Sequence, residues 1–247
     1  MSDKNILMQF LEMPLYRTEE VFKKFSSIPG TSIYGSGLEK FLFIRGNRKN
    51  RVLLIAHADT YWDYDYDEAY TGQCFSGVAQ EINEDNGIVT NKNGGLGADD
   101  RAGCAIAWLL KDLGHSILIT SGEEHGSRGS HYLMREHTEI ADEINNYHQF
   151  AIQLDRRNGT DFKCYDVGTD SFRAYVQKTT GYSEPDKYSS TDIKTICRDI
   201  CGVNLSIGYY NEHSSEEYLV IKEWENTLIL LREWLSLEDL PLFKLRD

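Results

Sequence analysis

The chain has 247 residues, 40% of them hydrophobic, and a formal charge of −13, which is enough apolar content to bury a core at a size single α/β domains reach. The acidic balance and the lack of Lys/Arg clusters exclude a binder of nucleic-acid backbones, which works by releasing counterions from phosphates. Five cysteines, Cys74, Cys104, Cys164, Cys197 and Cys201, without a close CxxC pair exclude a disulfide framework and a zinc knuckle, and they suit a reducing compartment.

The first residues, Met1 to Met8, lack the long apolar core of a secretory signal. No run approaches the ~20 apolar residues of a membrane span, so a soluble cytoplasmic protein is expected. Residues 2 to 27 read as one or two amphipathic helices, with Ile6, Leu7, Phe10 and Leu11 on one face, then Val21, Phe22 and Phe25 after a cap at Thr18. Phe41 to Ile44 and Val52 to Ala56 read as strands, the second apolar throughout, as in a sheet covered on both faces. An acidic, aromatic stretch from Tyr61 to Tyr70 follows, which could wall a cleft or be a solvated loop. Val78 to Ile82 and Gly87 to Thr90 bracket an Asn86-Gly87 step that favours a hairpin.

From Asp100 the apolar spacing becomes helical through Leu110, with Gly114 placed to end the helix. Ile117 to Thr120 is a strand, Ser127 to Glu136 a helix, and Phe150 to Leu154 a strand ending on Asp155. Thr191 to Cys201 reads as a helix, Val203 to Ile207 as a strand, and Ser214 to Leu235 as a helix that breaks near Lys222. Strands alternating with helices predict a three-layer α/β sandwich, a mixed and mostly parallel sheet flanked by helices, in one domain spanning residues 1 to 247.

Five short pieces stand where such a fold gathers functional groups, at strand ends and helix starts: His57-Ala58-Asp59, Asp99-Asp100, Glu123-Glu124, Asp155 and His213. Imidazole and carboxylate are the donors a zinc-like divalent cation takes, and two neighbouring ions need one carboxylate to bridge them. A metal-binding histidine is commonly held by an outer carboxylate, a part Asp59 can take. A further carboxylate must accept a proton from the attacking water, and Glu123 is the candidate. Each piece alone has a bland reading: Asp99-Asp100 could cap a helix and Glu123-Glu124 could be a solvated helix start. His115 is expected in a turn, and His125, His131, His137 and His148 on the surface or a helix face. Cys104 is expected in the core.

The motifs His57-Ala58-Asp59, Gly97-Ala98-Asp99-Asp100-Arg101-Ala102-Gly103 and Gly122-Glu123-Glu124-His125-Gly126-Ser127-Arg128-Gly129, with a strand-ending Asp155 and a late His213, resemble in this order the co-catalytic di-zinc exopeptidases. That superfamily comprises aminopeptidases, tripeptidases, carboxypeptidases and N-acyl amino acid deacylases. The resemblance implies two Zn2+, replaceable by Co2+ or Mn2+, with His57 and Asp155 on one ion, Glu124 and His213 on the other, and Asp99 bridging. It implies a cis peptide bond at Asp99-Asp100, Asp59 as the residue orienting His57, and Glu123 as base and then acid. It implies hydrolysis of a terminal amide of a short peptide, with deacylation of an N-acyl amino acid as the alternative and a binding protein on a retired peptidase fold as a more distant one.

Many relatives carry an inserted dimerisation domain between the last two ligands. Only 57 residues separate Asp155 from His213 here, too few for it, while Gly94-Gly95-Leu96-Gly97-Ala98-Asp99-Asp100 and its preceding hairpin resemble the tripeptidase branch. Substrate selection is therefore expected from loops 61 to 75, 156 to 172 and 179 to 190. Arg156 or Arg157 could hold a substrate carboxylate, and Tyr209 and Tyr210 could border the cleft. Self-association stays open.

Overall fold

The computed structural model describes residues 2–62, 80–185 and 191–246. The expected strand start at Val78 and most of the acidic, aromatic stretch lie outside these residues. A seven-stranded sheet forms the centre, in the order β1-β2-β6-β3-β7-β9-β8. Its four middle strands, β6 (Ser116–Thr120), β3 (Leu53–His57), β7 (Ala151–Arg156) and β9 (Gly202–Ser206), run parallel. The outer strands, β1 (Thr31–Ser36), β2 (Glu39–Ile44) and β8 (Phe162–Lys163), run antiparallel to their neighbours.

Alternation along the strands feeds two cores, because successive side chains point to opposite faces. Leu54 and Ala56 of β3 join Leu42, Ile117 and Ile152 under α1 (Asp3–Leu11), α2 (Thr18–Ser26), α3 (Ala98–Leu110), α6 (Asp170–Thr180) and α8 (Ile221–Leu235). Leu53 and Ile55 join Phe41, Phe43 and Leu118 under α4 (Arg128–Glu136), α5 (Thr138–Tyr147) and α7 (Asp192–Ile196). This is the expected three-layer α/β sandwich. Full cover on both faces explains why β3 reads as an unbroken apolar run.

Several elements depart from the sequence pattern. Thr18 opens α2 as its first helical residue, with Arg17 at the cap and no side-chain cap bond. Ser2 does cap α1, its hydroxyl accepting from Asn5 N at 3.2 Å. The expected helix over Thr191 to Cys201 stops at Ile196. The one expected from Ser214 begins only at Ile221, because Tyr218–Val220 forms β11 and pairs with Ile88–Thr90 of β5 (Ile88–Asn91). That pairing builds a second sheet, β10-β11-β5-β4, with β10 at Tyr209–Tyr210 and β4 at Ile82–Asp85. Asn86 and Gly87 turn the β4–β5 hairpin with φ of 50° and 80°, as an Asn-Gly turn requires.

Two histidines expected in a turn and on the surface are structural. His115 accepts from Val52 N through Nδ1 at 3.1 Å and donates through Nε2 to Leu235 O at 2.9 Å. His148 donates to Ile144 O at 3.0 Å and accepts from Ser116 Oγ at 2.8 Å. Each acceptor nitrogen faces a donor, so each ring is held neutral, and burial pushes both down from 6.5 to about 4. Below about pH 6.5 the unfolded chain takes up protons that the folded chain refuses. Their stabilisation is therefore complete above that pH and is lost as pH falls toward 4, on the order of 3 kcal/mol per ring. Urea unfolding of His148→Gln between about pH 7 and pH 5 should lose stability less steeply than the wild type; equal slopes would contradict this.

Candidate metal centre

All five expected ligands meet at the carboxyl-terminal edge of the parallel strands. His57 ends β3, Glu124 follows β6, Asp155 sits near the end of β7, Asp99 lies in the first turn of α3, and His213 lies between β10 and β11. The His57 ring donates from Nδ1 to the Asp59 carbonyl oxygen at 3.0 Å, which leaves Nε2 facing Asp99 Oδ1 at 3.1 Å and Asp155 Oδ1 at 3.4 Å. Asp99 turns its other oxygen to His213 Nε2 at 3.4 Å, and His213 Nε2 lies 2.9 Å from Glu124 Oε2. One carboxylate thus stands between two imidazoles, with a further carboxylate on each side. The Asp99-Asp100 peptide bond is cis, as the resemblance implies.

The donor set fits a pair of divalent cations. Ligand atoms of His57, Asp99 and Glu124 lie within 4.8 Å of one another, as do those of His57, Glu123 and Asp155. Glu124 Oε1 is buried without a hydrogen-bond partner, a lone pair that a cation would satisfy. Electrostatics follow from crowding negative groups in a dry site. Burial, then the Asp99 charge, raises Glu124 to about 7 and Asp155 to about 6. Burial, then the Asp155 charge, holds Glu123 well above the usual carboxylate range. Burial also opposes ionisation of Asp99, but bonds to His213 and His57 outweigh it and hold that carboxyl low. His213 shows the complement: burial disfavours its charge, yet Asp99 and Glu124 push it up to about 11.

No protein-family model matches the sequence, and no curated protein does. Solved structures do. A tripeptidase from Staphylococcus aureus aligns with a TM-score of 0.68 at 11% identity, covering 96% of this chain and 97% of that one. The aminopeptidase PepT from Bacillus cereus gives 0.62 at 14% identity over the same shares. The TET1 peptidase of Pyrococcus horikoshii, which can assemble into a tetrahedron or a large octahedral shell, gives 0.61 at 14% identity over 93% and 98%. The chain has the fold of these peptidases. The architecture implied by its motifs is the one observed.

Other expected site residues fall differently. Asp59 meets His57 Nδ1 with its carbonyl oxygen at 3.0 Å and its carboxylate Oδ1 at 3.6 Å, and the same carboxylate accepts from Glu123 N at 3.3 Å and Glu124 N at 3.2 Å. It therefore holds the two glutamates as well as the histidine. Tyr209 donates to Asp155 Oδ1 at 3.2 Å. Tyr210 instead donates to Glu223 at 2.7 Å and stacks on Tyr218, and Arg156 is buried with Asp161 3.8 Å from its guanidinium. Arg157 is paired at 2.5 Å with Glu212, the residue before His213. Tyr61 stacks on the His213 ring at 4.7 Å.

Sequence reading missed the groups that hold the ligands. Asp100, wholly buried, accepts from His57 N and Gly103 N, each at 3.0 Å. A Cβ on Gly103 would lie 2.0 Å from Leu154 O and 2.2 Å from Asp100 Oδ1, so only glycine lets α3 come this close. Asp192 accepts from Thr120 Oγ1 and Ser130 Oγ, both at 2.5 Å, below the glutamate loop. Asp155 is aimed by a β-bulge. Gln153 pairs with Asn204 but Arg156 with Ser206, so β7 carries one extra residue there. The Asn204 side chain fills the gap in the ladder, accepting from Asp155 N at 3.0 Å and donating to Asp155 O at 2.8 Å. Gln153 and Thr191 then bond Asp155 Oδ2 at 2.9 and 2.8 Å, leaving Oδ1 toward His57. A buried acidic or amide side chain with a long-range backbone partner has no local sequence signature, and only a register map could have flagged Asn204.

Asn204→Ala strands a buried N–H and C=O of Asp155 and should cost about 2 kcal/mol or more in urea unfolding of the metal-free protein. An unchanged midpoint would show that Asn204 does not carry the bulge.

Proposed function

We propose that the chain is a metal-dependent exopeptidase of the aminopeptidase type, holding two Zn2+ that Co2+ or Mn2+ can replace, and that it hydrolyses the terminal peptide bond of short peptides. The observation that carries this reading is the Asp99 carboxylate set between His57 and His213, with Asp155, Glu124 and Glu123 around it. A fold shared with aminopeptidases and a tripeptidase over almost the whole chain supports it. His57, Asp155 and Asp99 would hold one cation, and His213, Glu124 and Asp99 the other. When bound, the pair supplies Lewis acidity that polarises the scissile carbonyl and acidifies the attacking water.

The chain's own residues do the rest. Glu123 stands within 4.8 Å of the ligand atoms of His57 and Asp155, and the proposed ligand sets, His57, Asp155 and Asp99 on one side and His213, Glu124 and Asp99 on the other, leave it free to act on a proton. Its burial raises its proton affinity, which suits a base that takes a proton from water and then gives it to the leaving nitrogen. Asp59 fixes Glu123 through its backbone N–H, so the base keeps one position through both transfers. The free, buried Cys104, Cys164, Cys197 and Cys201 support a cytoplasmic setting, and among the described residues no helix is long and apolar enough to cross a membrane. Self-association, described for the Pyrococcus peptidase, belongs to the same proposal.

Glu123→Gln should lower kcat by ~100-fold or more while bound metal per chain matches the wild type. Unchanged turnover removes Glu123 from the reaction. Aminoacyl anilides should be cleaved in the presence of zinc, cobalt or manganese. Cleavage confined to N-acyl amino acids would make the chain a deacylase, and less than one metal per chain after reconstitution would remove the mechanism.

A further inference from the structure

Glu217 is a carboxylate buried in the middle of the fold that the proposed reaction does not use, with a relative exposure of 2%. Its Oε2 accepts from Gly97 N at 2.7 Å and its Oε1 from Asp99 N at 3.1 Å. Four residues earlier on the same segment, His213 reaches the Asp99 side chain and Glu124. One short stretch of chain therefore grips Asp99 twice, by its carboxylate through His213 and by its backbone through Glu217.

That stretch is built to hold this geometry. Asn211 and His213 both take left-handed backbone angles, with φ of 55° and 61°. Ser214 Oγ donates to Asn211 O at 2.7 Å and accepts from Glu216 N at 3.2 Å, while Glu217 N donates to Ser214 O at 3.2 Å. Immediately after Glu217, β11 fastens to β5. Non-glycine residues in left-handed conformation and a buried carboxyl group on two backbone donors are both costly, and such features persist where surrounding structure over-determines them.

We propose that Glu217 is a positioning residue that couples the two halves of the metal centre, setting the distance between the Asp99 carboxylate and His213. This rests on the two-cation reading above. The pocket formed by His213, Glu124 and Asp99 depends on that coupling, since His213 comes from a turn outside the main sheet. The pocket formed by His57 and Asp155 depends on it less. His57 is seated by β3 and the Asp59 carbonyl, and Asp155 by Gln153, Thr191 and Asn204. Loss of Glu217 should therefore weaken one cation step and spare the other.

The test is Co2+ binding to the full-length protein, followed by calorimetry and by the visible absorption of each added equivalent. Glu217→Gln keeps the volume but sets an amide N–H2 against a backbone donor, so only one of the two bonds can survive. One Co2+ step should weaken by roughly 10- to 100-fold, the range seen when groups supporting metal ligands are removed, with the other step and the metal-free unfolding curve little changed. Should that variant fold poorly, Glu217→Asp retains the charge but cannot reach both backbone donors, and the same selective loss is expected. Equal weakening of both steps, or none, overturns the coupling role. A wild-type protein that binds fewer than two Co2+ overturns the two-cation reading itself, and the coupling role with it.

Discussion

Acidic groups held close together in a dry place are the constraint on which this structure depends. Asp59, Asp99, Asp100, Glu123, Glu124, Asp155, Asp192 and Glu217 all lie largely out of water near two imidazoles. An isolated buried carboxylate costs several kcal/mol, so the fold must offset that cost locally. It does so with backbone N–H groups taken in pairs. Asp59 binds those of Glu123 and Glu124, Asp100 those of His57 and Gly103, and Glu217 those of Gly97 and Asp99. Each pair cross-links two ligand-bearing segments. The groups that make the site expensive are thus the same groups that make it rigid, which is what precise placement of a metal pair requires.

The chemistry of the site was legible in sequence because its ligands come directly after strongly patterned elements. His57 follows an apolar run, the Glu123-Glu124 pair follows another, and Asp155 ends a third. A parallel sheet brings such ends to one edge whatever the loops do. The scaffold around the ligands was less legible. The helix read from Ser214 begins seven residues late because Tyr218–Val220 takes its partner from a hairpin more than a hundred residues away. Glu217 therefore falls just before β11 and not in a helix, with its carboxyl oxygens on Gly97 N and Asp99 N. The burial of His115 and His148 was equally hidden, since each ring is fixed by a neighbour distant in sequence.

The segment between Asp155 and His213 is short, 57 residues. Here it returns to the main sheet: β8 and β9 extend it, α6 joins one core and α7 the other. Chain that could have formed a second body is spent on aiming ligands, through Asn204 on the Asp155 bulge and Thr191 on its side chain. In the proposed reaction the groups that would meet a substrate include the Arg157–Glu212 pair and Tyr61, which stacks on His213. Both sit within two residues of a proposed ligand or on one, so proposed recognition and metal-holding groups share the same short segments.

That sharing bears on which of the paired glutamates does which task. Glu124 faces His213 at 2.9 Å and keeps its second oxygen buried and unpartnered, so its geometry is that of a ligand. Glu123 has no such ion pair, approaches His57 and Asp155 on the other side, and lies over Asp192, whose charge adds to the burial that raises its proton affinity. Adjacent residues with the same side chain have been separated by their surroundings, which suits the proposed roles of Glu124 as a cation ligand and Glu123 as a base. The separation rests on Asp59, which holds both N–H groups and so fixes the turn that points the two side chains apart.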